Sequence, residues 1–281
     1  MTWMITGTGW HPRMFREEVS RIHGPFTPLH PRILELEDWD KNQSWCSEST
    51  FLLRDAAILP MDEAEIPAFL DEWGSGLNIQ GPFAVRASKL GVGLPALSKR
   101  NVEHLVGDHF FRLGHSVDLV NPETTIRVIM AGAPDRPQHM DSMDSYPLLV
   151  IGIDETYERP YLKRAMTSMP FFKPVTLDPK LASLLISLAY QDRNPPDQII
   201  DPFCGTGCIS LQARFRGITA LSSDVDPIMV EGAKKNFGYA YGQESPNHPF
   251  KTSDASKLFE TWGSQSNTAF IFDPPYARNS R

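Results

Sequence analysis

Four short segments carry residues whose types and spacing could do chemistry, and each stands where a strand-like run ends. The first is Asp201-Pro202-Phe203-Cys204-Gly205-Thr206-Gly207, between an apolar run at 198–203 and a helix expected from about residue 207 to 215. Glycines at such a turn let the backbone pass close under a ligand and leave helix N-terminal N–H groups facing it. There is no GxGxxG and no following Lys-Ser/Thr pair, which speaks against a dinucleotide pyrophosphate or a P-loop. The second segment is Asp224-Val225-Asp226, whose first acid lies 19 residues after Gly205. An acid at that place can accept hydrogen bonds from both hydroxyls of a ribose. Asp224 is assigned that role, and Asp226, standing before Pro227, the N-cap of the next helix. Asp254-Ala255 is the third, an adenine contact or an N-cap, with both readings open.

The fourth segment is Asp273-Pro274-Pro275-Tyr276. Apolar residues 270–272 lead straight into an acid and two prolines, which donate no N–H and end the strand ladder. The Asp273 carboxylate and the Pro274 carbonyl are then two acceptors, and Tyr276 supplies an aromatic face. This set suits a planar base with an exocyclic amine: two acceptors hold its hydrogens and a ring stacks on it. Cys46, Cys204 and Cys208 are too few for a disulfide framework and have no zinc-site spacing, so no metal is expected. No nucleophile elbow accompanies the Ser, His and Asp residues.

The elements that must position these segments follow from periodicity. Beyond about Thr176 the pattern alternates helix and strand: a helix at 177–191, strands at 198–203, 218–224, 250–254 and 268–272, and helices at 207–215, 227–242 and 256–263. Such alternation predicts a doubly wound parallel sheet. Its fourth strand, TAFIF, forms an apolar edge with the chain ending soon after, so an incomplete sheet is expected. Upstream, residues 1–75 read as a small α+β unit with strands at 2–7, 33–38 and 50–59 and helices at 12–24 and 63–73. After a break at 74–82, a strand (83–88), a helix (94–114), two strands (124–130, 147–153) and a polar hairpin loop between them form a second α+β module of roughly 80 residues.

The 281 residues predict two or three domains. No apolar run reaches the ~18 residues of a membrane helix, and the N-terminus lacks a basic region followed by an apolar stretch, so a cytoplasmic setting is expected. The net charge of −7, taken as a whole, is adverse to nucleic acid. It resides, however, in residues 1–75, with 6 basic and 13 acidic groups; the remainder is neutral. Within that remainder, segment 81–115 is +3 and segment 159–180 is +4. Local patches rather than the total set the potential that a ligand feels. Arg86, Lys89, Lys99 and Arg100 form one candidate cluster, and Arg159, Lys163 and Arg164 another.

DPFCGTG, SDVDP and DPPY in this order resemble the S-adenosylmethionine-dependent amino-methyltransferases. The segment MPFFKPVTLDPKLA (169–182) is more specific: it resembles the archaeal THUMP-domain tRNA guanine-10 N2-methyltransferases and their eukaryotic relatives. FAVRASKLG, the helix 96–114, VDLVNPETTIRVIM and PLLVIGI are similar to the THUMP domain of that family, so the resemblance spans about 80–281. It implies an α/β fold: a Rossmann-like methyltransferase domain at 176–281, C-terminally incomplete, after a ferredoxin-like N-terminal domain at 1–75, a THUMP RNA-binding domain at 76–158 and a linker at 159–175. Departing from the family pattern, Ala277 stands where Gly usually follows DPPY, and the family continues for several more strands.

The resemblance further implies that Asp201, Phe203, Cys204, Gly205, Thr206 and Gly207 line the methionine moiety of S-adenosylmethionine. Phe172, Pro174, Val175, Thr176 and Leu177 pack near the cofactor, Asp224 and Val225 lie at the ribose, and Asp254 and Ala255 at the adenine. Asp273, Pro274, Pro275 and Tyr276 are the catalytic set, with methyl transfer to guanine N2 and a flipped base against Tyr276 or Phe172. The implied partner is tRNA, bound by a monomer, with no membrane and no metal. Two other readings remain: an rRNA or DNA amino-methyltransferase with the same DPPY chemistry, or an RNA-binding module with an inactive methylase half.

Overall fold

The computed structural model describes residues 1–40, 46–92, 94, 97–133, 147–156, 165–242, 249–263 and 266–275. The chain divides into two compact units, Met1–Lys41 with Glu48–Tyr157, and Asn42–Ser47 with Glu158–Arg281.

The N-terminal unit runs β1 (Trp3–Gly7), α1 (Pro12–His23), β2 (Phe26–His30), β3 (Ile33–Leu36), β4 (Ser49–Leu59), α2 (Ile66–Gly74), β5 (Phe83–Leu90), α3 (Lys99–Arg112), β6 (Thr124–Ala131) and β7 (Leu148–Asp154). The expected boundary at 75/76 falls inside this unit, because one seven-stranded sheet, ordered β2-β3-β1-β4-β7-β6-β5, runs across it. The joint is β4, antiparallel to β1 on one edge and to β7 on the other. The register of β4 against β7 shifts between Arg54 and Ala57, and Asp55 within that step has φ 50°. An extra residue reverses which side chains face which way. Leu53 therefore packs with Met4, Ile129 and Val150, whereas Leu59 joins the core of Val85, Val102, Phe110 and Ile151 beneath α2 and α3. One strand thus serves two cores.

The sequence reading misses β2, whose short FTPLH run holds a proline. It also starts α3 too early. Ser98 fixes the true start: its side chain accepts the Asn101 N–H at 3.0 Å, satisfying a donor left open by the first turn. Most of the polar hairpin loop between β6 and β7 lies outside the described residues.

The C-terminal unit contains α4 (Pro179–Leu188), β8 (Gln198–Asp201), α5 (Cys208–Phe215), β9 (Thr219–Asp224), α6 (Pro227–Tyr241), β10 (Phe250–Thr252), α7 (Leu258–Trp262) and β11 (Thr268–Phe270). All strand pairs are parallel, in the order β10-β9-β8-β11. Asp178 caps α4 and Asp226 caps α6, each followed by proline in the first turn. The described part of the expected linker is not free: Met166 and Met169 are buried, and residues 165–175 belong to this unit. In the strand order, β9 and β10 lie on one side of β8 and β11 on the other. The strand order thus reverses between β8 and β11, and sheets of this kind bind ligands outside the strand carboxyl ends at such a point.

Candidate active site at the carboxyl ends of the sheet

The expected acids gather at these strand ends. Asp201 is the last residue of β8, Asp224 the last of β9, and Asp273 stands three residues beyond β11. The turn after β8 is held from below, with the Cys204 N–H donating to the Ser223 carbonyl at 2.9 Å and the Gly207 N–H to the Cys204 carbonyl at 2.7 Å. Gly205 and Gly207 have φ of 50° and 85°, in the region that favours glycine. A Cβ on Gly207 would also lie 3.0 Å from that of Ala233, so this turn sits directly on α6. The Asp224 carboxylate accepts the Gly205 N–H and the Asp226 N–H, both at 3.0 Å.

Asp201 is buried, its carboxylate accepting the Phe203 N–H at 3.1 Å. Burial drives its carboxyl up to about 8 against that hydrogen bond, and the charges of Asp224 and Asp273 push the same way. Asp273 is partly exposed, and its carboxyl is raised by partial desolvation. The Phe203 and Phe272 rings lie with centroids 5.7 Å apart, so the tip after β11 meets the turn after β8. Burial raises the thiols of Cys204 and Cys208, leaving them protonated and poor nucleophiles.

Other expected residues fall less uniformly. Thr176 and Lys173 close a small turn, the Thr176 N–H donating to the Lys173 carbonyl at 3.0 Å, with Leu177 just before the Asp178 cap. Phe172 is 45% exposed and Val225 67%. For Asp254 the capping alternative is realised: its side chain accepts the Ser256 N–H at 2.8 Å and opens a turn of 3-10 helix at Ala255–Lys257. Hydrogen bonds from Ser256 hold its carboxyl low. Tyr276, Arg159, Lys163 and Arg164 lie outside the described residues.

The first basic cluster is divided between faces. Val85 and Ala87 pack under α3, so period-two alternation turns Arg86 to the opposite face, where its guanidinium donates to the carbonyls of Leu119 and Val85. Lys89 keeps the helix-side parity, and Lys99 and Arg100 open α3 with exposed side chains.

Sequence reasoning missed Asn236, Gly232 and Phe171. Asn236 is buried on α6 and reaches both Phe171 and the turn after β8. The available signal was a polar residue on the same helix face as Ala233 and Phe237, since a buried amide requires partners.

Together, the parallel sheet, the glycine turn and the acids at three strand ends define a Rossmann-like domain. Residues 167–280 match the family described as UPF0020: RMKL-like, methyltransferase domain. The chain is 30% identical over 204 residues to the tRNA (guanine(10)-N2)-dimethyltransferase of Pyrococcus abyssi (strain GE5 / Orsay), covering 72% of this chain and 55% of that protein. It is 32% identical over 199 residues to the protein of that name from Methanothermobacter thermautotrophicus, covering 70% and 52%. The chain thus spans about half the length of these curated relatives. The crystal structure of TrmN from Thermus thermophilus shares the fold at a TM-score of 0.55 and 22% identity, covering 99% of this chain and 80% of that one. A predicted N6-adenine-specific DNA methylase from Listeria monocytogenes does so at 0.51 and 13%, with the same coverage.

Proposed function

We propose that this protein transfers methyl groups from S-adenosylmethionine to the exocyclic N2 of a guanine in tRNA, at guanine-10, giving N2-methyl- and N2,N2-dimethylguanosine. The observation that carries this reading is the meeting of the Asp273 tip with the glycine turn, through the Phe203–Phe272 contact and the charge felt at Asp201. The residues fit the donor. A cationic ligand suits a site where buried Asp201 stands beside two further carboxylates, and Asp224 ends β9 at the place of a ribose-binding acid.

When bound, the donor supplies a methyl group already activated by its sulfonium charge. The chain's work is to orient and polarise. Gly205 and Gly207 let the backbone run close beneath the methionine end, which Asp201, Phe203, Cys204 and Thr206 line. Asp224 accepts from the ribose hydroxyls, with Val225 beside it and Thr176 and Leu177 packing nearby. Ala255 remains near the adenine, while Asp254 serves as the cap. The Asp273 carboxylate and the Pro274 carbonyl accept the two hydrogens of the guanine amine. That localises its delocalised lone pair towards the methyl group, and Asp273 takes the released proton. Pro275 withholds an N–H that would compete for these acceptors, and Phe172 stacks on the flipped base.

The N-terminal unit is the RNA-holding part in this proposal, with ferredoxin-like and THUMP-like halves joined in one sheet. Phosphate contacts come from Lys89, Lys99 and Arg100, and from Arg86 on the other face. The protein acts as a cytoplasmic monomer without a metal. Among the described residues no helix is long and apolar enough to cross a membrane.

The test is incubation with an unmodified tRNA transcript and S-adenosylmethionine, followed by mass spectrometry of the nucleosides. N2-methylated guanosine at position 10 is the expected product. Methylation of rRNA or DNA instead would move the substrate assignment, and binding of tRNA without methyl transfer would overturn the enzymatic reading.

A further inference from the structure

We propose that Asn236 is a positioning residue for this site, locking the segment that presents Phe172 to the turn that carries Gly205 and Gly207. The inference rests on the methyltransferase reading above and goes beyond it to a residue outside the motifs. The Asn236 side chain is wholly buried on α6 and uses its amide in two directions. Nδ2 donates to the Phe171 carbonyl at 2.7 Å and to the Thr206 carbonyl at 2.9 Å, while Oδ1 accepts the Phe171 N–H at 2.8 Å. Both amide hydrogens are therefore committed, one to each segment.

The seat beside it is shaped to match. The Phe171 ring lies on Gly232, where a Cβ would come within 2.1 Å of Cδ1, and the Lys173 ammonium stands 5.5 Å from that ring's centroid. Phe171 is held at both backbone groups and through its ring, which fixes the direction in which the next residue, exposed Phe172, leaves α6. Thr206 lies between the two glycines of the donor turn. Neither segment can shift without stranding a buried hydrogen-bonding group of Asn236, through which the two are joined. In-line transfer requires base and donor to be aligned to about 1 Å, and a shared clamp supplies that alignment.

Asn236→Asp tests this in the full chain. It keeps the shape and the acceptor for the Phe171 N–H, removes both donations and sets a carboxylate against two carbonyl oxygens. Hydrogen exchange is expected to rise together, at least tenfold, in peptides covering 170–173 and 205–209, and kcat to fall at least tenfold. Ser210→Ala removes a buried hydrogen bond to Ser222 in the same unit and leaves kcat within twofold. Gly232→Ala pushes the Phe171 ring away with Asn236 intact and is expected to reproduce the coupled rise if Asn236→Asp does not fold. A rise in one segment only, or an unchanged kcat, overturns the proposal. A wild-type protein that transfers no methyl group overturns the functional reading and the positioning role with it; the exchange data judge the mechanical link separately.

Discussion

The backbone N–H of Gly205 donates to the carboxylate of Asp224 at 3.0 Å, joining the turn after β8 to the end of β9. Asp224 therefore has a structural task beside its proposed contact with the ribose. Asp224→Ala strands two N–H groups and removes the ribose acceptor. We expect the dissociation constant for S-adenosylmethionine to rise at least tenfold, about 1.4 kcal/mol, by calorimetry. Asp224→Asn keeps one acceptor and should lose less. Equal affinity in wild type and both variants would place the ribose elsewhere.

In the proposed mechanism, Asp273 is the residue on which the chemistry depends most. Asp273→Ala should lower the single-turnover rate by roughly 100- to 1000-fold, the scale seen when one preorganised hydrogen bond to the transition state is removed. Donor affinity should stay within about threefold, because the proposal sets Asp273 against the base rather than the cofactor. A rate close to wild type would remove Asp273 from the mechanism.

Asp201 makes the stability of the ligand-free protein depend on pH. Its carboxyl is raised to about 8 in the folded state, chiefly by burial, whereas an unfolded chain ionises it near the ordinary ~3.9. As pH rises from about 4 to about 8, the unfolded state loses this proton first, so this group's contribution to stability falls across that window and is level above it. Asp201→Asn should abolish that decline and stabilise the ligand-free protein at pH 8 by on the order of 5 kcal/mol in urea titrations, with little gain at pH 4. An identical pH slope in wild type and variant would contradict the burial argument.

Lys99 and Arg100 open α3 with exposed side chains and are proposed to contact phosphates. Replacing both with alanine should weaken tRNA binding and reduce the slope of log affinity against log salt by about two, roughly one for each phosphate no longer neutralised. Filter binding between low and moderate salt reads this directly. An unchanged slope would move the RNA-binding surface away from the start of α3.

Much of the C-terminal unit was legible because its signals are local. A strand that ends in acid and glycine, an aspartate before proline, and helix–strand alternation each act within a few residues, and β8, α5, β9 and α6 lie where those signals put them. Asp226 caps its helix, as its place before Pro227 predicts. Asp254 could not be settled locally, since capping and ligand binding use the same side chain at the same place.

What the sequence determined by itself was the set of strand-end residues and the rhythm that turns them towards one edge of a parallel sheet. Only the tertiary structure decided which distant groups meet. Joining the two N-terminal modules into one sheet depends on a register shift in β4, a choice of strand partner that no periodicity encodes. The raised carboxyl of Asp201 comes first from its burial in the packed unit, with Asp224 and Asp273, brought close from elsewhere in the chain, pushing the same way. Asn236 acquires its partners 65 and 30 residues away only when α6 packs against both segments. Propensity and capping act over a turn of chain, whereas burial and electrostatics act through space.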